Sequence, residues 1–303
     1  MYQFCFNDCF PKDKTEYILT NSLDATLREY ARVRDNFPDI VEGIITDKEP
    51  GSIILSQDNV TLGHCINRLT QPLRIIAYTN FNKHPIEQNL FVRDQDDLLQ
   101  GGYFIRIDRV DHNAINAKIV SENGGILFTL ALHDDLKRNS LTIIDNRANE
   151  SSVINLYGED PNTRFVNALL NQAILDQLED FDKLVAILGN CRYGGRFKKG
   201  FEQVSKQIQE SIIDHFESAI GRNGISRLFA DGDLIKDVTP EKEKEIKLFE
   251  LRIFKPVGFR IYFYESAQGV YLALAEPKPN QKVQDNHIKN SISIVKQLIL
   301  LEN

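Results

Sequence analysis

Between Lys247 and Gln281 the chain alternates apolar and polar residues three times, with turn signals between the runs. Phe249, Leu251 and Ile253 alternate with Leu248, Glu250 and Arg252, the period-2 pattern of a half-buried strand. Pro256 and Gly258 supply the first turn. Phe259, Ile261 and Phe263 then alternate with Arg260, Tyr262 and Tyr264. Gln268-Gly269 turns the chain again, and Val270, Leu272 and Leu274 alternate with Tyr271, Ala273 and Ala275. The stretch reads as an antiparallel meander with one face against a core. Its second face carries Glu250, Arg252, Arg260, Tyr262, Tyr264 and Tyr271, and Lys278 lies just past its end.

A chain of 303 residues exceeds the usual single-domain size, so two domains are expected. A hydrophobic content of 42% and a charged content of 26% place it among ordinary globular proteins. No run approaches the apolar length of a membrane-spanning helix, and MYQFCFNDCFPKDK lacks the basic-then-apolar order of a signal peptide, so a cytoplasmic protein without membrane partners is expected. Cys5, Cys9, Cys65 and Cys191 are too scattered for a disulfide framework and lack zinc-site spacing; buried thiols are the expectation. Residues 181–303 hold 19 Lys and Arg against 16 Asp and Glu, while residues 1–180 hold 17 against 27. That balance argues against a strong non-specific grip on nucleic acid. An acidic half beside a mildly basic one also suits a domain that covers, mimics or regulates the other's ligand.

Along the chain, Tyr2–Phe6 reads as a strand. A helix capped at Asn21 or Ser22 follows through LDATLREYARVRDNF. Ser52–Leu55 and Leu73–Tyr78 read as β-runs, Thr61–Leu69 as a short helix, and FNKHPIEQNLFVRDQDD as irregular. From Gly101 the runs YFIRIDRV, NAKIV, GILFTLAL, SLTIID and SVINLY predict sheet, with Asn123-Gly124-Gly125 as a turn. Residues 1–178 therefore read as an α+β domain with a mostly antiparallel sheet. His64, His84, His112 and His133 sit in separate elements, and nothing in this half forms a motif. Asp160-Pro161 starts a joining helix with Val166, Leu170 and Ile174 on one stripe. The second domain, 179–303, opens on Phe181–Leu188, read as a strand with helix continuation as the alternative. NCRYGGRFKKG follows as a basic loop, and Phe201, Val204, Ile208, Ile212 and Phe216 mark one helix face. Residues 221–235 read as a short helix and turn, 239–247 as a solvated charge run, and Ile288, Ile292, Val295 and Ile299 as the stripe of a terminal helix.

The residues ELRI (250–253), GFRIYF (258–263) and Lys278 with Gln281 ahead of a last helix resemble the addiction-module killer branch of the RelE/ParE toxin superfamily. The likeness is carried by 247–288 and extends back to about 181. It implies an antiparallel sheet packed by helices. It also implies a toxin-type endoribonuclease, acting on RNA or at the ribosome without metal or cofactor. The amino-terminal half would then be a sensor, regulator or docking domain, as in a phage-defence effector. Other members of that superfamily, the ParE-like ones, bind DNA gyrase and cleave nothing, so the alternative is a binding module facing an antitoxin, gyrase or a defence-complex subunit. A pure assembly surface is the third possibility.

Metal-independent RNA cleavage needs the 2′-hydroxyl deprotonated, the leaving oxygen protonated and the phosphorane charge stabilised. By the resemblance, Arg260 occupies the phosphate-stabilising position, Arg252 that of a basic general-base candidate, and Lys278 completes the catalytic set. Lys255, Tyr262, Gln281 and His287 are the candidate substrate contacts, His287 doubling as a general acid. Glu250 departs from the pattern, standing where several members place a second basic residue. Arg252 with Glu250, or Arg260 with Glu265, reads equally well as a cross-strand ion pair. Tyr262, Tyr264 and Tyr271 read either as base-stacking platforms or as ordinary strand residues.

Overall fold

The computed structural model describes residues 2–90, 102–221, 234–255, 257–278 and 280–301. The chain divides into two compact units, 1–172 and 173–303, a little before the boundary expected at 178. Both mix helices with sheet, so the class is α+β.

In the first unit the order is β1 (Tyr2–Phe6), α1 (Glu16–Asn36), β2 (Val41–Ile45), α2 (Leu62–Arg68), α3 (Gln71–Asn80) and α4 (Ile86–Asn89). Then come β3 (Tyr103–Ile107), β4 (Val110–Asn113), α5 (Ile115–Glu122), β5 (Ile126–Phe128), β6 (Ser140–Asp145), β7 (Glu150–Leu156) and α6 (Asp160–Leu175). The sheet order is β2-β1-β5-β7-β6-β3-β4. Three pairings, β1–β2, β1–β5 and β5–β7, are parallel, and three, β6–β7, β3–β6 and β3–β4, are antiparallel. The sheet is mixed rather than mostly antiparallel, because two expected strands are helices. NAKIV lies in α5, whose crossover delivers β5 parallel to β1, as parallel pairs require. Leu73–Tyr78 lies in α3, opened by Thr70 and by Pro72 in its first turn, with Leu73 and Ala77 buried. Helix α1 starts at Glu16, with Thr15 at the N-cap position, ahead of the expected Asn21 or Ser22. Ser52–Leu55 gives a 3-10 turn at Pro50–Ser52 and a single bridge from Ile54 to Thr61.

In the second unit the order is α7 (Asp180–Leu188), β8 (Cys191–Tyr193), α8 (Gly195–Glu202), α9 (Lys206–Ile220), β9 (Ile235–Asp237), β10 (Leu248–Ile253), β11 (Phe259–Ser266), β12 (Gly269–Pro277) and α10 (Gln281–Leu300). Phe181–Leu188 is therefore helix. Phe181, Leu184 and Leu188 bury one helical stripe, Asp180 and Asp182 sit at the positive end of the dipole, and Gly189 at φ +66° ends it. The basic loop is mostly structured, as β8 and α8. The stripe from Phe201 to Phe216 belongs to two helices broken before Lys206. Residues 222–233, most of the expected helix and turn, lie outside the described residues, as do 91–101.

The five-stranded sheet runs β8-β12-β11-β10-β9, antiparallel except at β12–β8. Phe249, Leu251, Ile253, Phe259, Ile261 and Phe263 pack on one face with α7, α8 and α9, as the alternation predicts. Helix α8 crosses β12 closely at Gly200, where a Cβ would fall on the Ala275 carbonyl oxygen. The other face, with Leu248, Tyr262, Tyr271 and Ala273, packs beneath α10 through Ile288, Ile292, Val295 and Ile299.

Candidate functional site

Strands β10 and β11 pair with Arg252 opposite Arg260 and Glu250 opposite Tyr262. Directly opposed residues share a face, so all four stand together. This is the face beneath α10.

Glu250 has no exposed surface. Its Oε1 accepts from Arg252 Nε at 2.6 Å and lies 3.2 Å from Arg260 Nε. Its Oε2 accepts from Gln284 Nε2 at 2.6 Å. Arg260 is also buried and donates through a terminal nitrogen to the Phe259 carbonyl at 3.1 Å. Burial pushes the Arg260 guanidinium down and Arg252 adds to that, while Glu250 opposes both. An arginine stays charged under such pressure. The cluster holds two positive charges and one negative, with Arg252 the more open cation at 21% side-chain exposure.

Tyr262 is fully buried beside this cluster. Burial first, and then the Glu250 charge, push its phenol up. Its hydroxyl feels Glu250 but makes no hydrogen bond of good geometry; His287 Nδ1 and Ser291 Oγ, on α10 above it, are likewise buried without a partner. The Tyr262 and His287 rings meet edge-on at 6.0 Å.

The expected site thus splits in two. Arg252, Arg260, Tyr262 and His287 come together beneath α10. Lys255 and Lys278 do not join them: both are exposed, Lys255 in the β10–β11 turn and Lys278 beside it just past β12. There the Lys278 N–H donates to the Gly258 carbonyl at 2.8 Å, and its side chain occupies the space a Cβ on Gly258 would take. Phe254 and Val257 at the same turn are 53% and 59% exposed, and the Arg260 guanidinium lies 5.6 Å from the Phe254 ring centre. Gln281 opens α10, and the glutamine that reaches the arginine cluster is Gln284, one helical turn on. Spacing along α10 carried the signal for it, since Gln284, Ile288 and Ser291 share a face.

The charge run 239–247 is not merely solvated. Lys296 of α10 bridges Glu243 at 3.0 Å and Glu245 at 3.2 Å, and Ile246 is buried beneath the helix. Among the described residues no group of three or more His, Cys, Asp or Glu is placed to hold a metal ion, and no helix is long and apolar enough to cross a membrane. All four cysteines are free and buried.

No protein-family model, curated protein or solved structure matches this chain.

Chemically, the buried cluster binds its own carboxylate. A guanidinium recognises phosphate through two parallel donors on one edge, and Glu250 already occupies the Nε edge of both arginines. The arrangement ties β10, β11 and α10 together by charge-assisted bonds. The turn at 254–258 is the part of this face that meets solvent with both apolar and basic groups.

Proposed function

We propose that residues 173–303 form a RelE/ParE-like module that acts by binding a protein, and that residues 1–172 regulate or recruit for it. The observation that carries this reading is the fully buried Glu250, which holds Arg252, Arg260 and Gln284 together and takes the Nε edge of both arginines. The surface offered instead is the turn bearing Phe254, Lys255 and Val257, flanked by Lys278. An exposed aromatic with lysines around it suits an acidic partner with an apolar centre, of the antitoxin, gyrase or defence-complex kind.

A second reading, metal-independent RNA cleavage, is favoured by one observation. The Tyr262 hydroxyl and His287 Nδ1 are unpartnered within a few residues of two converging arginines, which is an acid–base and cation set in one place. In that reading α10 and Glu250 withdraw before substrate enters.

The full chain separates the two. Its induced expression in bacteria is compared with the Phe254→Ser/Lys255→Glu variant and with Arg260→Lys. Gyrase supercoiling and mRNA 3′ ends are followed in parallel. Binding predicts growth inhibition that the turn variant loses, with no new 3′ ends. New 3′ ends that vanish in a folded Arg260→Lys protein would replace binding with cleavage.

A further inference from the structure

The first unit carries a site of its own at the carboxyl ends of its parallel strands. Strand β1 is flanked by β2, reached through α1, and on its other side by β5, and the connection leaving β1 runs toward β2 while the one leaving β5 runs the other way, toward β6. Ligands in α/β sheets sit outside the carboxyl ends at such a reversal, because the loops there diverge and leave a crevice. A cleft of about 210 Å³ lies at this place, lined by Asp8 and Lys12 after β1, Asp47 and Lys48 after β2, and Asn116 of α5.

The loops that form it are held from behind. Asn7 is buried, donates to Thr129 Oγ1 at 3.0 Å and accepts the Cys9 N–H at 3.0 Å. The Lys12 carbonyl accepts the Gln57 N–H at 2.9 Å, and the Lys48 carbonyl accepts from Thr46 Oγ1 at 2.7 Å. Both lysine backbones are thus fixed at their carbonyls, and the Lys12 ammonium bears on the Asp8 carboxylate by charge. Asn116 donates to Asp8 at 3.1 Å, orienting that carboxylate. Asp8 is exposed by area, yet protein atoms crowd its carboxyl; that crowding, with the Asp47 charge, raises it above the ordinary carboxylate range. Ile54, 45% exposed, gives the mouth an apolar side.

We propose that this cleft binds a ribonucleoside monophosphate, with Lys12 and Lys48 on the phosphate and Asp47 on the ribose hydroxyls. An acid just past the second strand of a β-α-β unit is placed to accept from ribose hydroxyls. The loop after β1, NDCFPKDK, contains no glycine, so side-chain ammonium groups take the phosphate in place of a glycine-rich backbone cradle. At about 210 Å³ the cleft would take the sugar phosphate, and the base would lie across Ile54 at the mouth.

Calorimetric titration of the full chain with AMP, GMP, CMP and UMP tests this. Saturable binding of at least one is expected. Lys48→Ala and Asp47→Asn should each weaken it by about tenfold or more, the scale of one charge-assisted hydrogen bond. The 2′-deoxy form should lose affinity against the native protein but not further against Asp47→Asn. Arg68→Ala, whose side chain pairs with Glu16 away from the cleft, should bind as the native protein does. Both cleft changes are at exposed positions, and unchanged melting temperatures will show that the variants fold. No binding of any of the four at millimolar concentration overturns the proposal. So does binding indifferent to Lys48→Ala and Asp47→Asn, or equal binding of inorganic phosphate, which would leave an anion site only.

Discussion

Removing the Glu250 carboxylate tests whether the buried cluster is a structural lock. Glu250→Ala leaves Arg260 at 7% and Arg252 at 21% side-chain exposure, opposite one another across the β10–β11 ladder with no charge between them. Gln284 loses its acceptor in the same change. Breaking a buried ion pair from one side costs about 3–5 kcal/mol, because the remaining charge is stranded. For a unit of this size that lowers the melting temperature by about 10–20 °C. Because the pair is buried, the loss should persist at high salt, unlike that of a surface pair. Urea unfolding of the full chain, followed by hydrogen exchange in 248–266 so that the second unit is read separately, gives the number. The triple change Glu250→Leu, Arg252→Leu and Arg260→Leu should recover most of the stability, since no stranded charge is left. A Glu250→Ala protein within about 1 kcal/mol of the native one would refute the reasoning, because it would put the cluster at the level of a surface ion pair.

Gly200→Val should destabilise the second unit by about 1–3 kcal/mol in denaturant titration, because its side chain meets the β12 backbone at Ala275. Burial pushes the Cys5 and Cys191 thiols up to about 12, so thiol reagents at pH 8 should label neither until the chain is unfolded. The same raised values mean that the stability they contribute is complete below the ordinary thiol range and declines as pH rises toward their folded values. Lys296→Met should speed amide exchange in 239–247 with little effect on global unfolding, since its carboxylate partners lie on that segment. A backbone bond from Glu245 and then Lys296 hold the Glu243 carboxyl below its ordinary value, so this anchoring should hold at neutral pH and fade as pH falls through that lower value.

The meander was legible because its alternation runs through strands of six to nine residues, and it fails only late in β12, where a register shift opposite Tyr262 and Phe263 puts Leu274 beneath α10 and Ala275 in the core, the reverse of the expected faces. The stripe of α10 was legible for the same reason at period 3.6. Short apolar runs were not. LVAIL, LRIIAY and NAKIV contain too few residues for period 2 and period 3.6 to separate, and all three are helical. Their caps carried the missing information: Pro72 inside the first turn after Thr70, and Gly189 at the end of α7. The parallel half of the first sheet had no sequence signature, because β5 is three residues long and its partners are set by a helix read as strand.

For the site, residue parity placed Arg252 and Arg260 on one face, and the Glu250–Arg252 ion pair was a visible alternative to a catalytic role. What parity does not contain is depth. A strand's second face is polar whether water or a helix lies over it, and here α10 lies over it with Gln284, His287 and Ser291 turned inward. Depth then changes what the arginines can do. On an open sheet they would be a cation pair awaiting an anion; beneath α10 they would strand two charges unless the chain supplied the anion itself, which it does with Glu250. An RNA phosphate arriving here would have to displace a carboxylate tethered to the strand as well as the helix above it. The exposed turn at Phe254, Lys255 and Val257 asks for neither, and the proposed docking there would meet the Phe254 ring, whose centre lies 5.6 Å from the Arg260 guanidinium. The buried arginine thereby links the cluster to the exposed turn: its guanidinium lies 5.6 Å from the Phe254 ring centre, within cation–π range, and its Nε lies 3.2 Å from Glu250.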